Sequence, residues 1–112
     1  MQDAPKETRR LIATARRTCE IEASGISNLS AALDGTLGAA FVAAVQAMKA
    51  ATGRIVLSGM GKSGQIARKI ASTLASTGTP ALFIHPSDAS HGDLGMIARS
   101  DAILILSWSG ET

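Results

Sequence analysis

The chain has 112 residues, of which 46% are apolar, and a formal net charge of +2. This length fits one domain, and the apolar fraction argues against a disordered chain. The small net charge and the presence of only three aromatic residues argue against nucleic-acid binding. The single cysteine, Cys19, cannot form an internal disulfide, and the sequence has neither an apolar run of about 18 residues nor a signal-peptide pattern, so we expect a cytoplasmic protein without a membrane segment.

Two helices are predicted ahead of the first strand, as an N-terminal helical hairpin over residues 1–53. The first helix covers residues 6–33, where apolar side chains recur every seven positions: Ile12, Cys19, Ile26 and Leu33. Such a seam suits packing either on the same domain or on a partner subunit. Asp34-Gly35 predicts a turn, and an apolar stripe from Leu37 to Met48 predicts the second helix.

The stretch from residue 54 to residue 64 predicts a strand, a glycine-rich turn and the start of a helix. Residues 55–57, Ile-Val-Leu, form a continuous apolar run typical of a buried strand. Glycines follow at positions 59, 61 and 64, with Lys62 and Ser63 between them, and a helical apolar pattern then continues until Gly78 ends it. A turn of this kind binds anions, because backbone N–H groups at the helix start can approach a ligand closely.

Neighbouring residues disfavour two other glycine motifs. The glycines have the spacing of a dinucleotide fingerprint, but that fingerprint also requires an acidic residue at the end of the second strand, where this chain has His85-Pro86. Gly61-Lys62-Ser63 matches the end of a P-loop, but a P-loop needs a glycine five positions before its Gly-Lys pair, and that position is Val56. A nucleotide-binding α/β domain is therefore disfavoured.

Residues 80–85 and 102–106 predict a second and a third strand, separated by a loop with a short helical piece near residues 88–97. Three strands with intervening helices predict an α/β fold with a doubly wound parallel sheet, formed by residues 54–112 and incomplete. The carboxyl ends of such strands share one edge of the sheet, which is the usual ligand edge.

Hydroxyl-bearing residues follow the first and third strands at this edge. Ser63 lies beside Lys62 after the first strand, and Ser107, Ser109 and Thr112 follow the third. Hydroxyls, backbone N–H groups and a lysine together suit a phosphate group. The alternative is that these serines only cap helices.

The loop after the second strand places His85 and His91 near the same edge, together with Asp88 and Asp93. Histidine can transfer protons near neutral pH, although a loop histidine can also serve only as a hydrogen-bond partner. Zinc is a weaker alternative on spacing, because two histidines six positions apart match no compact metal motif.

Four segments together resemble the sugar isomerase (SIS) domain of arabinose-5-phosphate isomerases: Gly-Met-Gly-Lys-Ser-Gly at 59–64, Ala-Ser-Thr-Gly-Thr-Pro at 75–80, His-Gly-Asp-Leu-Gly-Met at 91–96 and Ser-x-Ser-Gly-Glu-Thr at 107–112. The fourth segment is typical of SIS domains generally, whereas the first and third in combination are typical of this subfamily. The resemblance implies a Rossmann-like or flavodoxin-like SIS fold over residues 54–112 and extends loosely to the N-terminal helices.

The same resemblance implies the interconversion of D-ribulose 5-phosphate and D-arabinose 5-phosphate through an enediol, a step that feeds Kdo and lipopolysaccharide synthesis. By matched position it implies Lys62 and His91 as catalytic residues. The chemistry of isomerisation suits Lys62 as an electrostatic stabiliser and His91 as a proton carrier. Substrate-binding roles are implied for Ser63, Gly78, Thr79, His85, Ser107, Ser109 and Thr112. The resemblance implies no required cofactor, makes His85 a candidate zinc ligand, and implies a homotetramer with the N-terminal helices at an interface.

In the family, the glutamate implicated as the base follows shortly after the Ser-Gly-Glu-Thr segment, and a pair of regulatory CBS domains lies further on. We therefore expect residues 1–112 to be a fragment of such an isomerase, inactive by itself. The alternative is a non-catalytic SIS module that senses a sugar phosphate. Lys62 and His91 favour the enzyme, because a sensor needs only the hydroxyls that bind the phosphate.

Overall fold

The computed structural model describes residues 2–111, so Met1 and Thr112 lie outside the described residues. Helices and strands follow in the order α1 (Lys6–Ala32), α2 (Thr36–Ala50), β1 (Ile55–Gly59), α3 (Gly61–Ser76), β2 (Ala81–Phe83), α4 (Pro86–Ser90), a 3₁₀ turn (Asp93–Met96) and β3 (Ala102–Leu106). The chain divides into two compact units, one ending at Ala43 and the other beginning at Ala44.

The first unit contains α1 and the start of α2, which confirms that helices precede the sheet. Within the described chain, α1 has no buried residue, and the seam residues Ile26 and Leu33 are 70% and 40% exposed. Packing of this seam on a partner subunit therefore stays a prediction.

Between residues 2 and 111, no single helix is long and apolar enough to cross a membrane. The helices α1 and α2 pass that test of length and composition only as a pair, which is bent by 84°.

The second unit contains a three-stranded parallel sheet in the order β2-β1-β3. Ile55 pairs with Ala81 on one side and with Ala102 on the other, so the apolar strand β1 lies in the centre. Residues 55–57 and 59 are buried, as expected for a strand with neighbours on both sides. The predicted α/β fold with a parallel sheet is confirmed.

Alternation along β1 directs its side chains to two faces of the sheet. On one face, Ile55 and Leu57 pack with Ala67 and Ala71 of α3 in the core cluster of this unit. On the other face, Val56 and Ser58 line an apolar cavity of about 260 Å³, together with residues of β3, α4 and the 3₁₀ turn. Helical segments thus lie on both faces, which is the doubly wound arrangement.

Two predicted boundaries differ from the structure, and prolines and glycines explain the differences. The second strand covers only Ala81–Phe83 instead of residues 80–85, because Pro86 occupies the first turn of α4 and His85 becomes its N-cap. The single helical piece expected near residues 88–97 is two pieces, α4 and a 3₁₀ turn. Gly92, with φ of 115°, separates them.

At the amino edge of the sheet, Asp101 connects the segment before β1 with the segment before β3. Its side chain is only 2% exposed. Its carboxylate accepts hydrogen bonds from the backbone N–H of Arg54 at 2.7 Å and of Ala98 at 2.8 Å, and the Arg54 guanidinium lies 3.4 Å away. The N–H groups of Ala98 and Arg54, followed by the guanidinium, hold the pKa of Asp101 below its ordinary value. This carboxylate therefore fixes the start of β1 against the start of β3.

Candidate functional site

The loops after β1, β2 and β3 lie at the carboxyl edge of the sheet, because all three strands are parallel. The first loop leads into α3 through Met60, and the third runs from Ser107 to Glu111. Between them in the sequence, the segment after β2 forms α4 with His85 at its start and His91 at its end. This edge therefore carries most of the side chains that the sequence predicts as functional.

The glycines after β1 allow α3 to begin directly at the end of the strand. Gly61 has φ of 57°, a left-handed conformation that glycine adopts without steric cost. A Cβ atom at Gly64 would lie only 2.5 Å from the carbonyl oxygen of Gly59, so only glycine allows the helix to approach the strand this closely. The first turn of α3 is thereby held at the carboxyl edge, where its backbone N–H groups favour an anion.

The loop after β3 is shaped by hydrogen bonds to its own serine hydroxyls. Ser107 Oγ accepts a hydrogen bond from the N–H of Gly110 at 2.9 Å, and Ser109 Oγ accepts one from the N–H of Glu111 at 3.2 Å. A hydroxyl that accepts such a bond still has its own O–H to donate. Both serines therefore hold the shape of the loop and retain a donor for a phosphate oxygen.

A cavity of about 180 Å³ brings these two loops together. It is lined by residues from both loops: Met60, Ser63, Leu106, Ser107, Trp108 and Ser109. Three of the predicted phosphate-binding hydroxyls thus surround one small space beside the start of α3. Lys62 is exposed at the same helix start, next to Ser63, and does not line the cavity. Thr112 lies outside the described residues.

The two histidines occupy opposite ends of α4. His85 is half-buried and acts as the N-cap, because its Nδ1 atom accepts a hydrogen bond from the backbone N–H of Ser87 at 3.1 Å and lies 2.7 Å from Ser87 Oγ. The hydrogen bond from the Ser87 N–H favours the neutral tautomer with its proton on Nε2, whereas the Ser87 hydroxyl can either donate to Nδ1 or accept from it. His91 is exposed and is the C-cap residue of the same helix.

Gly78 and Thr79 lie away from the other predicted site residues. They connect the end of α3 to the start of β2, where Pro80 O accepts a hydrogen bond from the N–H of Ile55. This connection is at the amino edge of the sheet, opposite Lys62 and Ser63. Gly78, with φ of 99°, ends α3 as predicted. The substrate-binding roles of both residues stay predictions.

Sequence reasoning did not single out Ser58, although its type is unusual at this position. It is the only side chain with a hydroxyl in the strand Ile-Val-Leu-Ser-Gly, and its Oγ donates a 2.6 Å hydrogen bond to the carbonyl oxygen of Ile84. A polar residue in a central apolar strand is the signal that marks it, since such a group requires a partner when buried.

Within residues 2–111, no group of three or more His, Cys, Asp or Glu side chains is placed to hold a metal ion.

Comparisons with known proteins agree on one family. The SIS domain matches residues 48–112. Arabinose 5-phosphate isomerase KdsD of Pseudomonas aeruginosa is 50% identical over 101 residues, and the GutQ isomerase of Escherichia coli strain K12 is 48% identical over 100 residues; these alignments cover 90% and 89% of this chain. The chain spans only about 30% of the length of either relative.

A solved structure, that of an Escherichia coli CFT073 protein in complex with A5P, superposes with a TM-score of 0.81 at 39% sequence identity. The match covers 93% of this chain and 53% of that chain. The four motif segments and the parallel sheet described above all fall within residues 48–112, the part of the chain that the SIS domain matches. The chain therefore belongs to the SIS domain family.

Proposed function

We propose that this chain carries the amino-terminal part of the active site of an aldose–ketose isomerase that interconverts D-ribulose 5-phosphate and D-arabinose 5-phosphate. The observation that carries this proposal is the cavity in which Ser63, Ser107 and Ser109 converge beside the first turn of α3. The similarity to curated arabinose 5-phosphate isomerases supplies the substrate. A phosphate bound in this cavity would hold the sugar at the edge that carries Lys62 and both histidines.

Isomerisation moves a proton between C1 and C2 and develops negative charge on the sugar oxygens. In the proposal, Lys62 offsets that charge and His91 carries a proton between the oxygens. His85 donates a hydrogen bond from Nε2 to a substrate oxygen. Zinc at His85 is not part of the proposed reaction, in which Nε2 carries a proton and donates a hydrogen bond to the substrate. No cofactor is part of the proposed reaction.

The proposal extends to the setting of the enzyme. The product arabinose 5-phosphate would supply Kdo for lipopolysaccharide, in the cytoplasm. A homo-oligomer, a tetramer by family resemblance, would cover the exposed apolar side chains of α1 and α2. Because Gly78 and Thr79 lie at the amino edge, they would contact substrate only in the site of a neighbouring subunit.

Calorimetry on the full gene product tests the phosphate site. Arabinose 5-phosphate is expected to bind far more tightly than arabinose, and Ser109→Ala or Ser107→Ala is expected to weaken binding by about 1–3 kcal/mol through loss of a charge-assisted hydrogen bond. Ser72→Ala, an exposed serine within α3, is the matched control and is expected to bind like wild type. Equal affinity for the phosphorylated and unphosphorylated sugars would contradict the proposal.

Turnover of arabinose 5-phosphate to the ketose separates an enzyme from a sensor. Lys62→Ala and His91→Ala are expected to lower kcat roughly 100-fold or more, a typical loss for a catalytic acid–base or electrostatic group. Lys69→Ala removes the same charge two turns later in α3 and is expected to retain turnover. Tight binding of arabinose 5-phosphate without any turnover of the wild type would favour the sensor.

A further inference from the structure

We propose that Ser58 is a positioning residue for His85 in the isomerase reaction. This inference rests on the proposed function, and it concerns how the chain holds the imidazole of His85 at the ligand edge. The Ser58 hydroxyl acts on the peptide bond that immediately precedes His85.

The strand pairing beside His85 ends early. β2 has only three residues, and its last pair with β1 is Leu57–Phe83. Ile84 is nevertheless 94% buried and bonded to β1 through both of its backbone groups: its N–H donates to Leu57 O at 2.9 Å, and its carbonyl oxygen accepts from Ser58 Oγ at 2.6 Å. The Ile84 N–H bond is thus a backbone contact with β1, and the side chain of Ser58 extends that contact to the Ile84 carbonyl oxygen.

The Ile84 carbonyl oxygen belongs to the peptide bond that joins Ile84 to His85. Because a peptide bond is planar, fixing this oxygen also fixes the direction in which the His85 backbone leaves the strand. From there the His85 ring is held by the N–H of Ser87 on Nδ1 and by an edge contact with Phe83, with ring centroids 6.4 Å apart. The orientation of the His85 ring, and with it the direction in which Nε2 points, thus depends on a chain of contacts that begins at Ser58.

Packing alone does not explain why residue 58 is a serine. Ser58 shares its face of β1 with Val56 and lines the apolar cavity of about 260 Å³, where an aliphatic side chain would bury more surface. The cavity also provides room for one more methyl group on this side chain. Threonine, which keeps the hydroxyl, is therefore the conservative replacement, and alanine removes the hydrogen bond.

A double-mutant cycle of Ser58→Ala and His85→Ala, measured by steady-state kinetics on the full gene product, tests the inference. Ser58→Ala is expected to lower kcat/KM roughly 10- to 100-fold, as small misplacements of catalytic groups do, and Ser58→Thr is expected to restore most of it. In a His85→Ala background, Ser58→Ala is expected to have little further effect, because it acts through the imidazole. Ser76→Ala removes another serine-to-carbonyl bond, of 3.0 Å to Thr73, and is the control with wild-type kinetics.

A long-range ¹H–¹⁵N spectrum of the histidine rings provides a readout that needs no activity. The His85 signals, assigned with His85→Gln, are expected to show the proton on Nε2 in wild type and in Ser58→Thr, and to shift in Ser58→Ala while the His91 signals stay unchanged. If the wild type lacks isomerase activity, the proposed function fails and this spectrum alone decides the role of Ser58. Unchanged His85 signals in Ser58→Ala, or additive kinetic effects of the two substitutions, would overturn the inference.

Discussion

Asp101 shows how a single carboxylate can join two strands that are far apart in the sequence. It is bonded to the backbone N–H of Arg54, 47 residues away, and to that of Ala98. Sequence reasoning did not identify this residue, because an isolated aspartate before a strand gives no local signal of a distant partner. The same is true of Ser58, which bonds to a carbonyl 26 residues away. In contrast, Lys62 and Ser63 were identified because the glycine turn that positions them is local.

The lowered pKa of Asp101 gives a pH dependence with a definite sign. Its contribution to stability is fully present above the ordinary aspartate pKa of about 3.9, and it is lost as pH falls through the lower pKa of the folded state. We expect the urea midpoint of the full gene product, followed by circular dichroism, to fall on acidification below about pH 4 more steeply in wild type than in Asp101→Asn.

Asp34→Asn, in the exposed turn between α1 and α2, makes the same chemical change without these donors and is the control. It is expected to follow the wild-type curve. Parallel acid curves for wild type and Asp101→Asn would show that the carboxylate does not link folding to protons.

The helices and strands themselves were largely predictable, because their apolar periodicity depends on local sequence. α1 and β3 have nearly the predicted bounds. The beginning of α3 was less clear, since Gly61, Lys62, Ser63 and Gly64 have no apolar period and yet form its first turn. The three-residue β2 could not be predicted either, because its end is determined by contacts with β1 and by the cap at His85.

Two glycine-to-alanine substitutions are expected to have opposite effects on stability, because only Gly64 lies where α3 closely approaches β1. Gly64→Ala is expected to destabilise the protein by about 1–3 kcal/mol, the usual cost of overpacking, because the new Cβ meets the Gly59 carbonyl at 2.5 Å. Gly25→Ala, within α1, meets no atom within 4 Å and is expected to stabilise by about 0.5–1 kcal/mol through helix propensity. Urea unfolding measures both, and a neutral or stabilising Gly64→Ala would contradict the described packing.

Considered as an isolated polypeptide, residues 1–112 leave much apolar surface uncovered. Ile103 is 52% exposed and Ile105 65% exposed on one face of β3, and α1 and α2 expose further large apolar side chains. Surfaces of this kind favour association. We expect the purified 112-residue chain to be catalytically inactive and either to associate or to unfold readily, as measured by light scattering, thermal unfolding and an isomerase assay.

The full gene product, in the same assays, is the reference and is expected to be active as a homo-oligomer. A stable, monodisperse monomer of the 112-residue chain with measurable turnover would contradict both parts of this prediction.

The central position of β1 also has a consequence for synthesis on the ribosome. β1 is made first but pairs with β2 and β3, and the contact that joins the starts of β1 and β3 spans 47 residues. At a synthesis rate of about 5–20 residues per second, the apolar residues 55–57 therefore remain without their second neighbouring strand, β3, for roughly 2–10 seconds. During this interval the nascent chain presents an unpaired apolar strand, so we expect a binding window for chaperones that recognise such segments. The window should close once β3 has emerged from the ribosome.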